Sequence, residues 1–216
     1  MVDIQYNRNI ILIGAGGLGR EFYSWIIQST EFSSNYNVEG FIDDDNLKLS
    51  GFNNYPNIVG KLESGVIEKY NNFIITISKL EVRYQIFNLL EGLNKNIFGF
   101  IHPSTLIGQN TKLSPCLVTF PNCVISCDVK IGKSVFINNG SQIGHDVLIM
   151  DYVNIMANVD IGGNCEIGEM VTIGTGATIL PGVKIPANTF IGAGSVVFRS
   201  IKQPGTYVGN PAKKIF

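Results

Sequence analysis

From Ile125 to Ile191 every sixth residue is isoleucine, and Val197 closes the series, so thirteen consecutive positions in phase carry a β-branched aliphatic. Leu113 and Ile107 extend the phase backwards, and Thr119 alone interrupts it. Two residues before each aliphatic runs a second register of small or β-branched residues: Val129, Val135, Ser141, Val147, Val153, Val159, Cys165, Val171, Ala177, Val183, Thr189, Ser195. Glycine often follows the aliphatic, as at Gly132, Gly144, Gly162, Gly168, Gly174 and Gly192. A helix of 3.6 residues per turn cannot hold a period of six over this length. A β-sandwich would alternate by two and carry irregular loops. Short strands joined by tight corners satisfy the period: three hexapeptides make one triangular coil with the aliphatic inside. The small residue is then expected near the corner, and the glycine is expected to permit the turn. Each coil buries its interior only against the next. Residues 107–197 give about five coils, a prism of roughly 24 Å at roughly 4.8 Å per coil. No insertion breaks the period from Ile125 to Val197, so an active-site loop comes from elsewhere or the site lies between subunits.

The first hundred residues read differently. Ile10 to Ile13 is a short buried strand, followed by Gly14-Ala15-Gly16-Gly17-Leu18-Gly19 and a helix over Arg20 to Gln28. Strands are expected at Val38–Ile42, Phe73–Ile77 and Ile97–Ile101, with a second helix from Val82 to Leu93. This alternation predicts a small parallel, Rossmann-like α/β sheet. The chain is thus divided into residues 1–102 (α/β) and 103–216 (all-β prism with a tail). Gly14, Gly16 and Gly19 match a phosphate-binding fingerprint, whose glycines let the backbone approach a phosphate at a helix N-terminus. Asp43-Asp44-Asp45, ending the second strand, could meet a ribose or base, or form a solvated turn. About 100 residues hold one nucleotide-binding half, so a single nucleotide or nucleotide-sugar fits better than a dinucleotide.

A net charge of −1 gives no reason to expect nucleic acid or a membrane surface as partner. No apolar run approaches the roughly 20 residues of a membrane span. Met1 to Asn7 lacks the basic-then-apolar pattern of a leader, so a cytoplasmic protein is expected. Cys116, Cys123, Cys127 and Cys165 form no Cys-x-x-Cys pair and read as reduced packing residues, with no metal expected.

Five features together resemble the bacterial sugar acetyltransferases of the PglD/NeuD type over essentially the whole chain. They are Gly14-Ala15-Gly16-Gly17, Phe41-Ile42-Asp43-Asp44, Ile101-His102-Pro103-Ser104, Gly144-His145-Asp146 and Tyr207-Val208-Gly209-Asn210-Pro211-Ala212-Lys213. The resemblance implies a left-handed prism, a homotrimer with active sites between subunits, acetyl-CoA as co-substrate, and a nucleotide-linked 4-amino-4,6-dideoxy sugar (UDP, dTDP or GDP) as N-acetyl acceptor. It makes His145 the base and Asp146 its carboxylate partner. Gly16, Gly17, Leu18, Asp43, Asp44, Ser78 and Asn138 fall on the substrate side, and Asn154, Thr175 and Ala193 on coenzyme A. The chain departs from many relatives in having Leu18 and from some in having Asn154, where those carry histidine. It has Asp146 where some carry glutamate.

The residues themselves support such chemistry. The chain has only two histidines. His102 precedes Pro103 and reads as a packing or capping residue. His145 lies two residues past core Ile143, on a turn. Acyl transfer from a thioester to an amine releases a proton, and imidazole is the side chain that takes one near neutral pH. A neighbouring carboxylate fixes its tautomer. Adjacent strand residues point to opposite faces, so His145 and Asp146 require a corner. Gly162-Gly163 on the next coil is a candidate oxyanion donor pair, with Gly163 also counted on the cofactor side. No serine or cysteine constellation indicates an acyl-enzyme, so direct attack is expected. The other readings are a sialic-acid-type sugar O-acetyltransferase within the same resemblance, a serine or other small-molecule O-acetyltransferase, which would not need the glycine-rich half, and a non-catalytic nucleotide-sugar scaffold, which would not need His145. A γ-class carbonic anhydrase needs three histidine ligands.

Overall fold

The computed structural model describes residues 8–215; the amino-terminal segment read above for a leader lies outside them. The chain forms two compact units, Met1–Phe98 and Gly99–Phe216.

The first unit is a five-stranded parallel sheet in the order β3-β2-β1-β4-β5. Its strands are β1 (Arg8–Ile13), β2 (Tyr36–Ile42), β3 (Ile58–Gly60), β4 (Asn72–Ile75) and β5 (Asn96–Ile97). Ile10, Ile11 and Leu12 are fully buried, as a central parallel strand covered on both faces requires. Helix α1 (Gly17–Gln28) buries Gly19, Phe22 and Ile26, a spacing of three and four that lines one helical face. Helices α2 (Thr30–Asn35) and α3 (Ser64–Ile67) are short, and α4 (Leu80–Gly92) buries Leu80, Ile86, Phe87 and Leu90. At the amino end of the sheet the Asn37 amide donates to Asn9 Oδ1 at 3.3 Å. Asn72 donates to the Asn9 carbonyl at 3.1 Å, and Asn96 to Asn72 Oδ1 at 3.0 Å. This ladder of asparagine amides ties the starts of four strands together.

The second unit is a prism of two-residue strands in three parallel sheets. Its first face runs through Phe100–Ile101, Val118–Thr119, Phe136–Ile137, Asn154–Ile155, Thr172–Ile173 and Phe190–Ile191. The second face runs from Leu106–Ile107 through Gln142–Ile143 to Val196–Val197, and the third from Lys112–Leu113 to Lys184–Ile185. Register partners lie 18 residues apart, one coil, as in Gln142↔Asp160 and Ile143↔Ile161. One continuous core holds the aliphatic series together with Val129, Val147, Cys165 and Ala177.

One sequence expectation is sharpened and two change. The small-residue register sits next to the corner, as Val147 follows Asp146, and it also points inwards, as buried as the aliphatics, because position i−2 shares a strand face with i. The glycines after the aliphatics do not supply the turn conformation. A Cβ on Gly144 would stand 2.5 Å from the Gly163 nitrogen and one on Gly168 2.4 Å from the Ala187 nitrogen, so they admit the backbone of the next coil. The left-handed backbone falls two residues later, at Asp128, Ser134, Gly140, Asp146, Tyr152, Asn158 and Asn164, again every sixth residue. Finally, the strand expected over Ile97–Ile101 is divided. Asn96–Ile97 pairs with β4, whereas Phe100–Ile101 pairs with Val118–Thr119 as the first rung of the prism. The cause is Gly99, whose Cβ would sit 2.0 Å from the Leu117 carbonyl oxygen; only glycine lets the chain enter the prism there.

Past Val197 the tail strand Thr206–Val208 adds to the first face beside Phe190–Ile191, and Lys213–Lys214 folds back on it antiparallel.

Candidate active site

In the first unit the glycine turn follows β1 and opens α1. Gly14 has φ +106 and donates its N–H to the Ile42 carbonyl at 2.8 Å. Gly19 is forced by space: a Cβ there would fall 1.9 Å from the Gly14 oxygen. The buried Thr76 hydroxyl holds the turn from β4, donating to the carbonyls of Ile13 and Gly14 at 2.9 and 2.8 Å. Gly16 is the N-cap of α1, with no side-chain cap, and a Cβ on Gly17 would meet nothing within 4 Å. Their bareness is therefore not needed for packing. Leu18 is half-buried on the first turn.

Asp43 belongs to this turn. Its Oδ2 accepts the Ala15 N–H at 2.8 Å and its Oδ1 the Asp45 N–H at 3.0 Å. Asp44 accepts the Leu62 N–H at 3.1 Å. Both aspartates line a cleft of about 360 Å³ at the carboxyl ends of β1 and β2, walled by Leu62, Ile77, Val82, Ile86 and Leu89, with Gln85 at its rim. This is where strand order reverses, between β1 and β4, and where open α/β sheets bind ligands. Ser78 lies exposed in the loop after β4 and does not line the cleft. Thr76, the α4 wall and Arg20, whose guanidinium lies 3.7 Å from the Phe52 ring centre, carry no sequence signature.

In the second unit His145 and Asp146 are the two corner residues between Gln142–Ile143 and Leu148–Ile149. Asp146 has φ +59, which turns two adjacent side chains to one side, and His145 Nδ1 lies 2.8 Å from Asp146 Oδ2. An ionised carboxylate only accepts, so Nδ1 carries the proton and Nε2 presents its lone pair. Both side chains are more than half exposed, at 57% and 55%. The ring lies across Gly163 one coil on, with Nε2 2.6 Å from where a Cβ would stand. The Gly162 amide donates to the Ile179 carbonyl at 2.8 Å, which removes it from the expected oxyanion pair.

Of the residues expected on coenzyme A, Gly163 lies against His145, and the other three lie elsewhere on the prism. Thr175 and Ala193 are exposed corner residues between the first and second faces. Asn138, on the same edge, spends Oδ1 on the Asn139 N–H at 2.7 Å. Asn154 is on the first face and 4% exposed. His145, Asp146 and Gly163 occupy the edge between the second and third faces. The same edge continues through Pro181 to Arg199, which with Phe198, Lys202, Tyr207 and Pro211 lines a cavity of about 670 Å³ at the carboxyl end.

His102 Nδ1 lies 2.8 Å from Ser104 Oγ and accepts the Ser104 N–H at 3.2 Å. Burial lowers its pKa. The four cysteines are free. Cys123 and Cys165 fill inward positions, and burial pushes the Cys123 thiol up to about 11. Among the described residues no three His, Cys, Asp or Glu gather as metal ligands, and no helix is long and apolar enough to cross a membrane.

Comparison with known proteins agrees with this geometry unit by unit. The PglD N-terminal domain family matches residues 9–90, and the bacterial transferase hexapeptide family (six repeats) matches 140–175 and 164–199. A GDP-perosamine N-acetyltransferase of Escherichia coli O157:H7 is 30% identical over 208 residues, 92% of this chain and 81% of that protein. The chain belongs to the PglD/NeuD-type hexapeptide acyltransferases. Membership brings the left-handed coil with it. Among solved structures, the acetyltransferase domain of PglB from Neisseria gonorrhoeae FA1090, in complex with acetyl coenzyme A, has a TM-score of 0.84 at 25% identity, covering 97% of this chain and 100% of that one. WeeI from Acinetobacter baumannii AYE has a TM-score of 0.82 at 28% identity, covering 95% and 99%.

Proposed function

We propose that this acyltransferase moves an acetyl group from acetyl-CoA to the amine of a nucleotide-linked amino sugar, in the bacterial cytoplasm and in glycan biosynthesis. The observation that carries the chemistry is the His145–Asp146 pair, held on one corner by the left-handed backbone of Asp146. The neutral amine attacks the thioester carbon. Nε2 of His145 takes the proton the amine sheds, the carbon–sulfur bond breaks, and the imidazolium returns that proton to the departing sulfur, so coenzyme A leaves as the thiol. Asp146 holds the Nδ1–H and stabilises the imidazolium that forms. The Gly163 amide is the assigned donor to the developing oxyanion.

The first unit supplies recognition. Gly16 and Gly17 leave the uncapped start of α1 open to a diphosphate, and the adjoining cleft has room for a base beside Asp44. Asp43 organises the turn from inside. The GDP-perosamine enzyme makes a 4-amino-4,6-dideoxy sugar the class to test first.

Catalysis requires more than one chain. The base and the residues assigned to the cofactor, Thr175 and Ala193, stand on different edges of one prism, separated by a face of six residues, at most about 20 Å. In a trimer of parallel prisms the base edge of one subunit meets the cofactor edge of the next, which completes the site.

The decisive experiment incubates a panel of UDP-, dTDP- and GDP-linked amino sugars with acetyl-CoA and follows thiol release, for wild type and His145→Ala. Loss of the base should lower kcat by about 10²- to 10⁴-fold with coenzyme A still bound. Near-wild-type turnover in that variant would remove His145 from the mechanism.

A further inference from the structure

Gly163 is a glycine for a reason that neither its backbone nor its neighbours in the coil explain. It is not among the residues with left-handed φ, so its conformation is open to any L-residue. Other glycines of the prism, such as Gly144, Gly168 and Gly174, are pressed by main-chain atoms of the next coil. At Gly163 the three nearest atoms all belong to one side chain. An added Cβ would stand 2.6 Å from His145 Nε2, 2.7 Å from Cε1 and 3.1 Å from Cδ2. Gly163 is itself buried although it sits at a corner. The imidazole occupies the volume a side chain would fill.

We propose that Gly163 is a positioning residue for His145: the empty space above its Cα is the seat in which the imidazole lies, and this seat fixes where Nε2 points. Three constraints then define the ring. The corner places its Cα, with the His145 carbonyl accepting the Asn164 N–H at 2.8 Å. Asp146 holds Nδ1 at 2.8 Å. Gly163 lets the far edge drop onto the next coil. A methyl at Gly163 must be cleared by rotation of the ring, because the backbone of the coil above is paired through Asn164 and cannot yield. That rotation carries Nε2 off its line while the corner and the coil stay intact. The inference rests on His145 being the base, but the seat itself can be read without turnover.

The test compares Gly163→Ala, His145→Ala and the double variant in the full-length protein. With histidine labelled at 13Cε1, the two histidines give two resonances, and His145→Ala assigns them. Gly163→Ala should move the His145 resonance and leave that of His102 in place. It should lower kcat about 10- to 100-fold, as a misplacement of roughly 1 Å does, with KM for acetyl-CoA within about threefold of wild type. The thermal midpoint should fall in Gly163→Ala and recover in the double variant, where no ring is left to displace. An unmoved His145 resonance overturns the proposal, whether kcat holds or falls. Loss of acetyl-CoA binding with the ring unmoved makes Gly163 a cofactor contact only and also overturns it. If the ring moves and the midpoints recover, but His145→Ala itself turns over normally, the seat stands and the base assignment is what fails.

Discussion

At the scale of single residues, Asp146 does two jobs that substitution can separate. Its carboxylate holds His145 Nδ1, and its backbone sits at φ +59. Asparagine tolerates that conformation nearly as well as aspartate; alanine does not. Asp146→Asn should therefore keep the fold and lose kcat by about 10²-fold or more, because an amide can present its N–H to Nδ1 and impose the wrong tautomer. Asp146→Ala should lose the same activity and also about 1–2 kcal/mol of stability. Urea unfolding of both variants beside their kinetics separates the two roles; equal stability would deny the backbone one. Position 145 was legible in the sequence because it holds one of only two histidines in the chain, two residues past core Ile143 and beside an aspartate. Asp43 was legible only as an acidic group at a strand end. That both its oxygens face backbone N–H groups depends on how β1 and β2 bring Ala15 to it, and local sequence does not encode that.

At the scale of elements, the start of α1 and the first rung of the prism give contrasting predictions. A methyl on Gly17 meets nothing, so Gly17→Ala should leave the thermal midpoint unchanged or raise it, by up to about 1 kcal/mol of helix propensity. If the open helix start receives a diphosphate, the same variant should bind nucleoside diphosphates at least several-fold more weakly in calorimetry. Unchanged affinity would place the phosphates elsewhere. In the first rung, His102 accepts from Ser104 through Nδ1 and has its pKa lowered by burial. The folded value lies below the unfolded one, so the neutral ring's contribution is complete above the ordinary imidazole value. It is lost as pH falls through that value to the lowered one. Stability should thus decline on mild acidification, and less so in His102→Asn, whose Oδ1 can accept the Ser104 N–H without titrating. Urea midpoints at two pH values check this. The period of six fixed these rungs to the residue, since one shifted hexapeptide would expose a whole register. The period did not reveal why the corners turn. Asparagine, aspartate and glycine dominate the left-handed column, but Tyr152 and Met170 also occupy it, so residue type alone blurred a signal that the backbone repeats without exception from Asn122 to Gly194. The short β3 and α3 had no periodicity long enough to read.

For the whole molecule, the two edges of the prism lead to a prediction about assembly rather than about any residue. If each site joins the His145 edge of one subunit to the Thr175–Ala193 edge of its neighbour, a lesion on one edge disables a site without touching the partner's contribution to it. His145→Ala removes the base. Ala193→Trp, at an exposed corner, fills the cofactor edge and should leave the core alone. Each homotrimer should be inactive. When the two are unfolded together in equal amounts and refolded, random heterotrimers place an intact base edge against an intact cofactor edge at about a quarter of the interfaces. Activity should therefore return to about a quarter of wild type, with light scattering reporting three chains throughout. A site contained within one prism predicts no recovery at all, because every chain in the mixture carries a lesion. The result also separates assembly from chemistry: a trimer without complementation would keep the oligomer and discard the shared site, whereas complementation would show that the unbroken period from Ile125 to Val197 leaves catalysis to the meeting of two edges rather than to a loop.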